Sequence, residues 1–398
     1  MSTFDRPLSR RKLSAIGVGL AAGTALTTIT HPAFAQDATP EGSPADDQGG
    51  MPPLPEGAIP VAQGLWNPNG LAIAEDGTLY IAEAGVAGGG EAAPAVAATP
   101  LPDGSLPVGP LPLVAPQVSK VAPDGTQSIV TTEAGGTGIA IVGTEAYVVN
   151  GGTSVSTGFA QIPGENTIRA IDLATGAVRQ VAELGTYEID NNPDGLDINP
   201  NLYGIAASPD GILYVADAGG NTIYTVDPAS GSSSLFAVVP TLTDLTGATP
   251  TAEEEAMQPG PRQPVPTGIV VDDASTITVG LLGENWSGPS ILNYAPDGTY
   301  TEGVSGIPFN VAIALGPDGL LYASQLTADF SGEMPAPGNV FRIAADGTVE
   351  PVVQGLFFPH GIAFDADGNL YVTANSIISA PDAPAGMVLK FEGIATSM

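Results

Sequence analysis

The sequence predicts an all-β fold, a six-bladed β-propeller of four-stranded antiparallel blades, its ring closed by an N-terminal strand that completes the last blade. Three observations predict it. A Pro-x-Gly-(Ile/Leu/Val)-Ala unit recurs six times: PNGLAI from Pro68, GTGIAI from Gly136, LYGIAA from Leu202, PTGIVV from Pro266, FNVAIA from Phe309 and PHGIAF from Pro359. Each copy leads into further short, alternating apolar runs separated by Gly turns, the pattern of antiparallel strands. The two ends of the chain also resemble each other, VAQGLWNPNGLAIAEDGTLYIAEAG at Val61–Gly85 against VVQGLFFPHGIAFDADGNLYVTANS at Val352–Ser376.

Each element follows in order. The recurring unit is the first strand of a blade. The second strands lie in GTLYIAEAG, TEAYVVNGG, GILYVADAG, STITVGLLG, GLLYASQLT and GNLYVTANS. The third lie in SKVAPDG, NTIRAIDLATG, NTIYTVDPASG, SILNYAPDG, NVFRIAADG and MVLKFEG, and a fourth follows in most copies, as in SLFAVVP and VEPVVQG. Asp-Gly pairs at 76–77, 124–125, 210–211, 297–298, 318–319, 346–347 and 367–368 suit hairpins that need positive φ. The last repeat runs out at VLKFEGIATSM without a clear fourth strand. GAIPVAQG, at Gly57–Gly64, reads as that missing strand. Pairing it beside Met387–Phe391 satisfies two raw sheet edges and closes the ring.

Outside the repeats, residues 1–35 read as an export signal. Arg10, Arg11 and Lys12 precede an apolar run and the small-residue site Ala33-Phe34-Ala35, and Arg10-Arg11 after Ser9 suits the twin-arginine route. Residues 36–57 are Pro-, Gly- and acid-rich and predict a disordered linker; the propeller then spans 58–398. No later run is long and apolar enough for a membrane helix. The chain has no Cys, which excludes disulfides, thiol nucleophiles and thiolate metal sites. Its formal charge is −32, and the signal carries away Arg6, Arg10, Arg11 and Lys12 against Asp5 alone, so the remainder is more acidic still. Such a surface repels nucleic acid and anionic membranes and favours cations or basic partners. The mature chain is expected to be an exported, soluble monomer.

The copies are unevenly spaced. Gly70 to Gly138, Gly138 to Gly204 and Gly204 to Gly268 each exceed the about 40 to 45 residues that a four-stranded blade needs. The surplus falls after second strands, at Val86–Gln117, Gly151–Gly164, Thr327–Pro337 and Ser376–Ala385. It also falls between blades, at Leu184–Asn201 and Pro240–Val265. Antiparallel blades put both kinds of loop on one face, and long loops on a rigid scaffold carry function.

Two rings of side chains are expected around the central channel on that face. The residue at x of Pro-x-Gly supplies Asn69, Thr137, Tyr203, Thr267, Asn310 and His360; the residue ending the second strand supplies Glu83, Asn150, Asp217, Leu281, Gln325 and Ala374. Their polar members would line a ligand-binding rim. His360 is the one histidine left once His31 departs with the signal, and a channel histidine is a candidate general base. In the loop EIDNNPDGLDINPNLYG, Asp190-x-Asn192-x-Asp194-Gly195 has the spacing of oxygen ligands for Ca²⁺. Ile198 and Asn201 stand where such a loop would carry its last ligands. The competing reading is an Asn/Asp/Pro/Gly turn that caps its own backbone.

NPNGLAIAEDGTLYIAEAG, NNPDGLDINPNLYGIAASPDGILYVADAGGNTIYTVD, PTGIVV and PHGIAFDADGNLYV resemble the ScyD/ScyE family over roughly residues 58–392. The resemblance implies an exported propeller of the NHL-like and SMP-30-like kind and implies no particular reaction. Gluconolactonase-type relatives of the fold hold a divalent cation with Glu, Asn and Asp. Asn69, in NPNGLAI, resembles their Asn-Gly-Leu segment, and Glu83, Asn150 and Asp217 could add oxygens. Leu281 and Ala374 interrupt that ring. Streptogramin-lyase-like propellers use more than one His, which this chain lacks once His31 leaves with the signal. The expectation is therefore a scaffold that binds a small molecule or protein through its long-loop face. The alternative is a metal-dependent, lactonase-like hydrolase at the channel mouth.

Overall fold

The computed structural model describes residues 53–87, 112–152, 161–246, 262–283, 288–329 and 335–396. The segments expected to be an export signal and, for the most part, a linker lie outside them, as do parts of five loops. Six four-stranded antiparallel sheets form a ring. Blade 1 is β2 (Pro68–Ile73), β3 (Leu79–Glu83), β4 (Gln117–Val121) and β5 (Gln127–Thr131). Blade 2 is β6 (Gly138–Val142), β7 (Glu145–Asn150), β8 (Thr167–Asp172) and β9 (Val178–Glu183). Blade 3 is β10 (Leu202–Ala207), β11 (Leu213–Asp217), β12 (Thr222–Val226) and β13 (Ser233–Val238). Blade 4 is β14 (Pro266–Val271), β15 (Ile277–Leu281), β16 (Ile291–Tyr294) and β17 (Tyr300–Glu302). Blade 5 is β18 (Asn310–Leu315), β19 (Leu321–Gln325), β20 (Gly338–Ile343) and β21 (Val349–Leu356). Blade 6 is β22 (Ile362–Phe364), β23 (Leu370–Ala374), β24 (Gly386–Phe391) and, from the other end of the chain, β1 (Ile59–Leu65).

The ring closes as expected. β1 pairs antiparallel with β24, Ile59 opposite Lys390, Ala62 opposite Val388 and Gln63 opposite Met387. Ser379, in the blade 6 loop, clips this strand to blade 1: its amide donates to the Asn67 side chain at 2.9 Å and its hydroxyl to the Leu65 carbonyl at 3.2 Å.

The Asp-Gly turns form, with a division of labour. Only the glycine takes positive φ, from 76° to 85° at all seven sites. At five of the seven the aspartate instead accepts from a backbone amide, as in Thr78 N–H to Asp76 and Thr348 N–H to Asp346, both at 2.9 Å. This is a side-chain-capped turn with a left-handed glycine rather than a turn with two positive φ angles.

The core is a ring of interfaces. Each pair of neighbouring blades shares one apolar layer, such as Tyr147, Val149 and Ile168 against Leu213, Val215 and Tyr224 between blades 2 and 3. The innermost strands meet backbone to backbone. A Cβ on Gly204 would run into the Thr267 carbonyl, and one on Gly361 into that of Asn69, which is why the repeat demands glycine there. Two short helices add to the β architecture among the described residues, α1 (Gly185–Asn191) and α2 (Leu242–Thr246). They occupy the two long inter-blade connections. No helix among the described residues is long and apolar enough to cross a membrane.

Candidate functional site

The x residues sit where β-bulges re-aim the innermost strand. The register skips one residue between Pro68 and Gly70, between Leu202 and Gly204, and between Pro266 and Gly268, so Asn69, Tyr203 and Thr267 leave the ladder and turn inward. In blade 5 the skip falls between Asn310 and Ala312. The residue equivalent to Asn69 is therefore Val311, one place beyond the expected Asn310, which pairs with Gln325 in the sheet as Pro68 pairs with Glu83. Two apolar residues flanking the site, Phe309 and Val311, hid this register in the sequence.

These positions form an inter-blade lock. The Thr137 hydroxyl donates to the Tyr203 carbonyl at 2.9 Å, and Thr267 to the Asn310 carbonyl at 2.8 Å. Asn310 donates to Ser290 O at 3.2 Å. The Asn69 amide, oriented by its surroundings, donates to Ser376 O at 3.2 Å. Asn69, Thr137, Tyr203, Thr267, Asn310 and His360, expected to line a ligand-binding rim, are all buried in a packed seam.

His360 and Tyr203 complete it. His360 Nδ1 lies 3.2 Å from the Asn69 carbonyl, which can only accept, so Nδ1 carries the proton. Nε2 is then free to accept from the Tyr203 hydroxyl. Burial pushes His360 down to about 4 and holds it neutral, and burial raises the Tyr203 hydroxyl. Both ring nitrogens of the candidate base are thus engaged within the protein. On the long-loop side, Val265, Leu282, Phe309, Leu326 and Phe358 pack with Tyr203 over the axis.

The second ring faces into its own blades. Glu83 accepts from Trp66 N–H at 2.6 Å, Gln117 at 2.8 Å and the Ser119 hydroxyl at 2.5 Å; burial nevertheless raises its pKa. Asn150 donates to Gly164 O at 3.3 Å, and Gln325 accepts from Asn339 at 2.8 Å. Leu281 and Ala374 are buried apolar members. Asp217 Oδ1 accepts from the backbone amides of Asn201, Gly219 and Gly220 at 2.7, 3.2 and 2.9 Å. Burial still pushes Asp217 up to about 6.

The calcium-like spacing does not gather its three residues around one point. The segment read as loop opens as helix α1, which leaves Asp190 exposed. Asn192 caps that helix with φ 41° and donates to Leu196 O at 2.9 Å. Asp194 accepts from Leu196 N–H at 2.9 Å and from Asn221 at 2.8 Å. These are the bonds of a self-capping turn. Among the described residues no group of three His, Cys, Asp or Glu is arranged as a ready metal site.

Helix α1 buries a residue that the sequence reading passed over. Glu188 is 0% exposed and neither carboxylate oxygen accepts a hydrogen bond of normal geometry, although the Asn199 amide is nearby. Burial, and then the charges of Asp217 and Asp194, push it up to about 8. The signal was present in the same segment, since a helical turn starting at Gly185 puts Glu188 on the face turned to blade 3.

No protein-family model matches the chain, and no curated protein sequence does. Solved structures do. A Bacteroides thetaiotaomicron protein of unknown function matches at 12% identity over 82% of this chain and 70% of its own, with a TM-score of 0.52. A gluconolactonase from Xanthomonas campestris matches at 14% identity over 83% of this chain and 88% of its own, with a TM-score of 0.50. What this chain shares with both is the six-bladed β-propeller fold.

Proposed function

We propose that the protein is an exported, monomeric β-propeller of the ScyD/ScyE type that binds a small molecule or a protein through its long-loop face. The single observation that carries this reading is the engagement of the axial side chains with one another. His360, Tyr203 and Thr137 spend their polar atoms on inter-blade bonds, while the surplus chain length is concentrated on one face. A scaffold with a locked axis and elaborated loops suits recognition. Native mass spectrometry of the exported chain tests it: a co-purifying mass that is lost on shortening the long loops supports the reading. Loops that can all be shortened without loss of any partner would remove its basis.

A metal-dependent, lactonase-like hydrolase at the channel mouth is the second reading. The fold shared with a gluconolactonase supports it, as do the oxygens of Asn69, Glu83, Asn150 and Asp217 near that end of the blades. Against it stand the three donors that already occupy Glu83. A panel of lactones and esters with added divalent metals separates the two. Turnover that disappears in folded Glu83→Gln protein would establish the enzyme.

A further inference from the structure

We propose that Glu188 and Asp217 bind a hard divalent cation of the Ca²⁺ class, which fastens helix α1 to the Gly219–Gly220 turn of blade 3. The two carboxylates face one small space. The point where a Cβ on Gly220 would sit is 2.9 Å from Glu188 Oε2 and 3.0 Å from Asp217 Oδ2. Both residues are 0% exposed. Both Glu188 oxygens and Asp217 Oδ2 are buried without a protein donor of normal geometry. Two anionic groups aimed at one buried space, with free lone pairs, require a counter-charge or a shared proton.

No basic side chain supplies that charge among the described residues. Their ion pairs are Arg179–Glu145, Arg342–Glu350 and Lys390–Glu392, all elsewhere. The surrounding atoms are hard oxygens. Thr222 stands directly opposite Asp217 in the β11–β12 register, and its Oγ1 and the Tyr224 hydroxyl are buried beside the carboxylates, each with no hydrogen-bond partner of normal geometry beyond the other. Oxygen-only surroundings without thiolate or imidazole select Ca²⁺ over zinc or copper, and Ca²⁺ accepts neutral oxygens and water to fill its shell. Asp194 supplies nearby negative charge but has both oxygens engaged, so the site has two direct carboxylates. It is distinct from the Asp190/Asn192/Asp194 spacing and lies off the ring axis.

Calorimetric titration of CaCl₂ into the chelator-treated chain tests the proposal. One saturable site is expected. Glu188→Gln and Asp217→Asn should each weaken it at least tenfold, and Gly220→Ala should weaken it by filling the space without removing a ligand. Asp190→Asn should bind as wild type. Because Asp217 also caps a turn, melting of Glu188→Gln is the decisive measurement. It should be at least as stable as wild type in chelator, yet lose the CaCl₂-specific rise that wild type shows beyond NaCl of equal ionic strength. Equal shifts with CaCl₂ and NaCl in wild type, without saturable heat, would mean a shared proton and overturn the site. So would wild-type affinity in Glu188→Gln, or loss of binding in Asp190→Asn, which would put the ion on the loop spacing instead.

Discussion

The Tyr203 hydroxyl and His360 Nε2 hydrogen-bond across the axis of the ring, from blades 3 and 6, which stand opposite each other. Their rings lie 5.3 Å apart between centroids, and the residues are 157 positions apart in the chain. A bond between opposite blades ties the two halves of the ring directly, and it is backed by the apolar packing of Tyr203 with Phe309, Leu326 and Phe358 over the axis.

Tyr203→Phe should therefore lower stability by about 1–3 kcal/mol, since it leaves a buried ring nitrogen without its donor. Urea unfolding should show an earlier midpoint at an unchanged slope. An unchanged midpoint would mean that the axial bond adds nothing net.

His360 also predicts a pH dependence. Its folded pKa is about 4 against an ordinary 6.5. Above 6.5 the side chain is neutral in both states and its contribution is complete. As pH falls from there toward 4, the unfolded chain takes up a proton that the native protein refuses, so stability is lost. The full loss is on the order of 3 kcal/mol at about 1.4 kcal/mol per unit. Glu188 and Asp217 have raised pKa values and act with the opposite sign over an overlapping range. The measurement is therefore the stability difference between wild type and His360→Gln. It should be flat above neutral pH and shift against wild type on acidification; a pH-independent difference would show that His360 titrates normally.

Ring closure should depend on Leu65. It is 1% exposed and packs with Leu71, Leu79, Ile81 and Val388 at the seam between blades 6 and 1. Leu65→Ala should cost about 2–5 kcal/mol, read from thermal or urea unfolding. Removing residues 1–65 should go further and produce aggregation visible by light scattering, because β24 would be left as an open edge.

Glu83→Ala should behave as a structural lesion. It strands the buried Ser119 hydroxyl, for which about 1–3 kcal/mol is expected, and the half-buried Trp66 N–H and Gln117, which cost less because water can reach them. A large loss of stability, with no lactone turned over by wild type, fits the scaffold reading. A stable variant that selectively loses turnover fits the hydrolase.

Much of this was legible in the sequence because it is local and repeated. The Pro-x-Gly unit, the alternating strands and the Asp-Gly turns recur at each blade, and each follows from its own few residues. The likeness of the two chain ends already implied β1 beside β24. The blade 5 register was less legible, because FNVAIA has no glycine to mark the bulge and so pointed to Asn310 where the fold uses Val311.

The sequence by itself thus determined the blade count, the strand order, the closure and the face that carries the long loops. Hydrophobic alternation and turn chemistry act over a few residues and leave little freedom once six copies are present. Only the tertiary structure decided what the polar side chains do. The x residues read as a ligand-binding rim, but glycines let the innermost strands touch and close the axis around them. His360 read as a free base until ring closure brought Asn69 and Tyr203 to its two nitrogens. Nothing in the repeats or motifs of the sequence singles out Glu188, which α1 turns inward against Asp217. Burial and partners are properties of residues brought together from distant parts of the chain, and these decide whether a carboxylate is solvated, capped or left facing another charge.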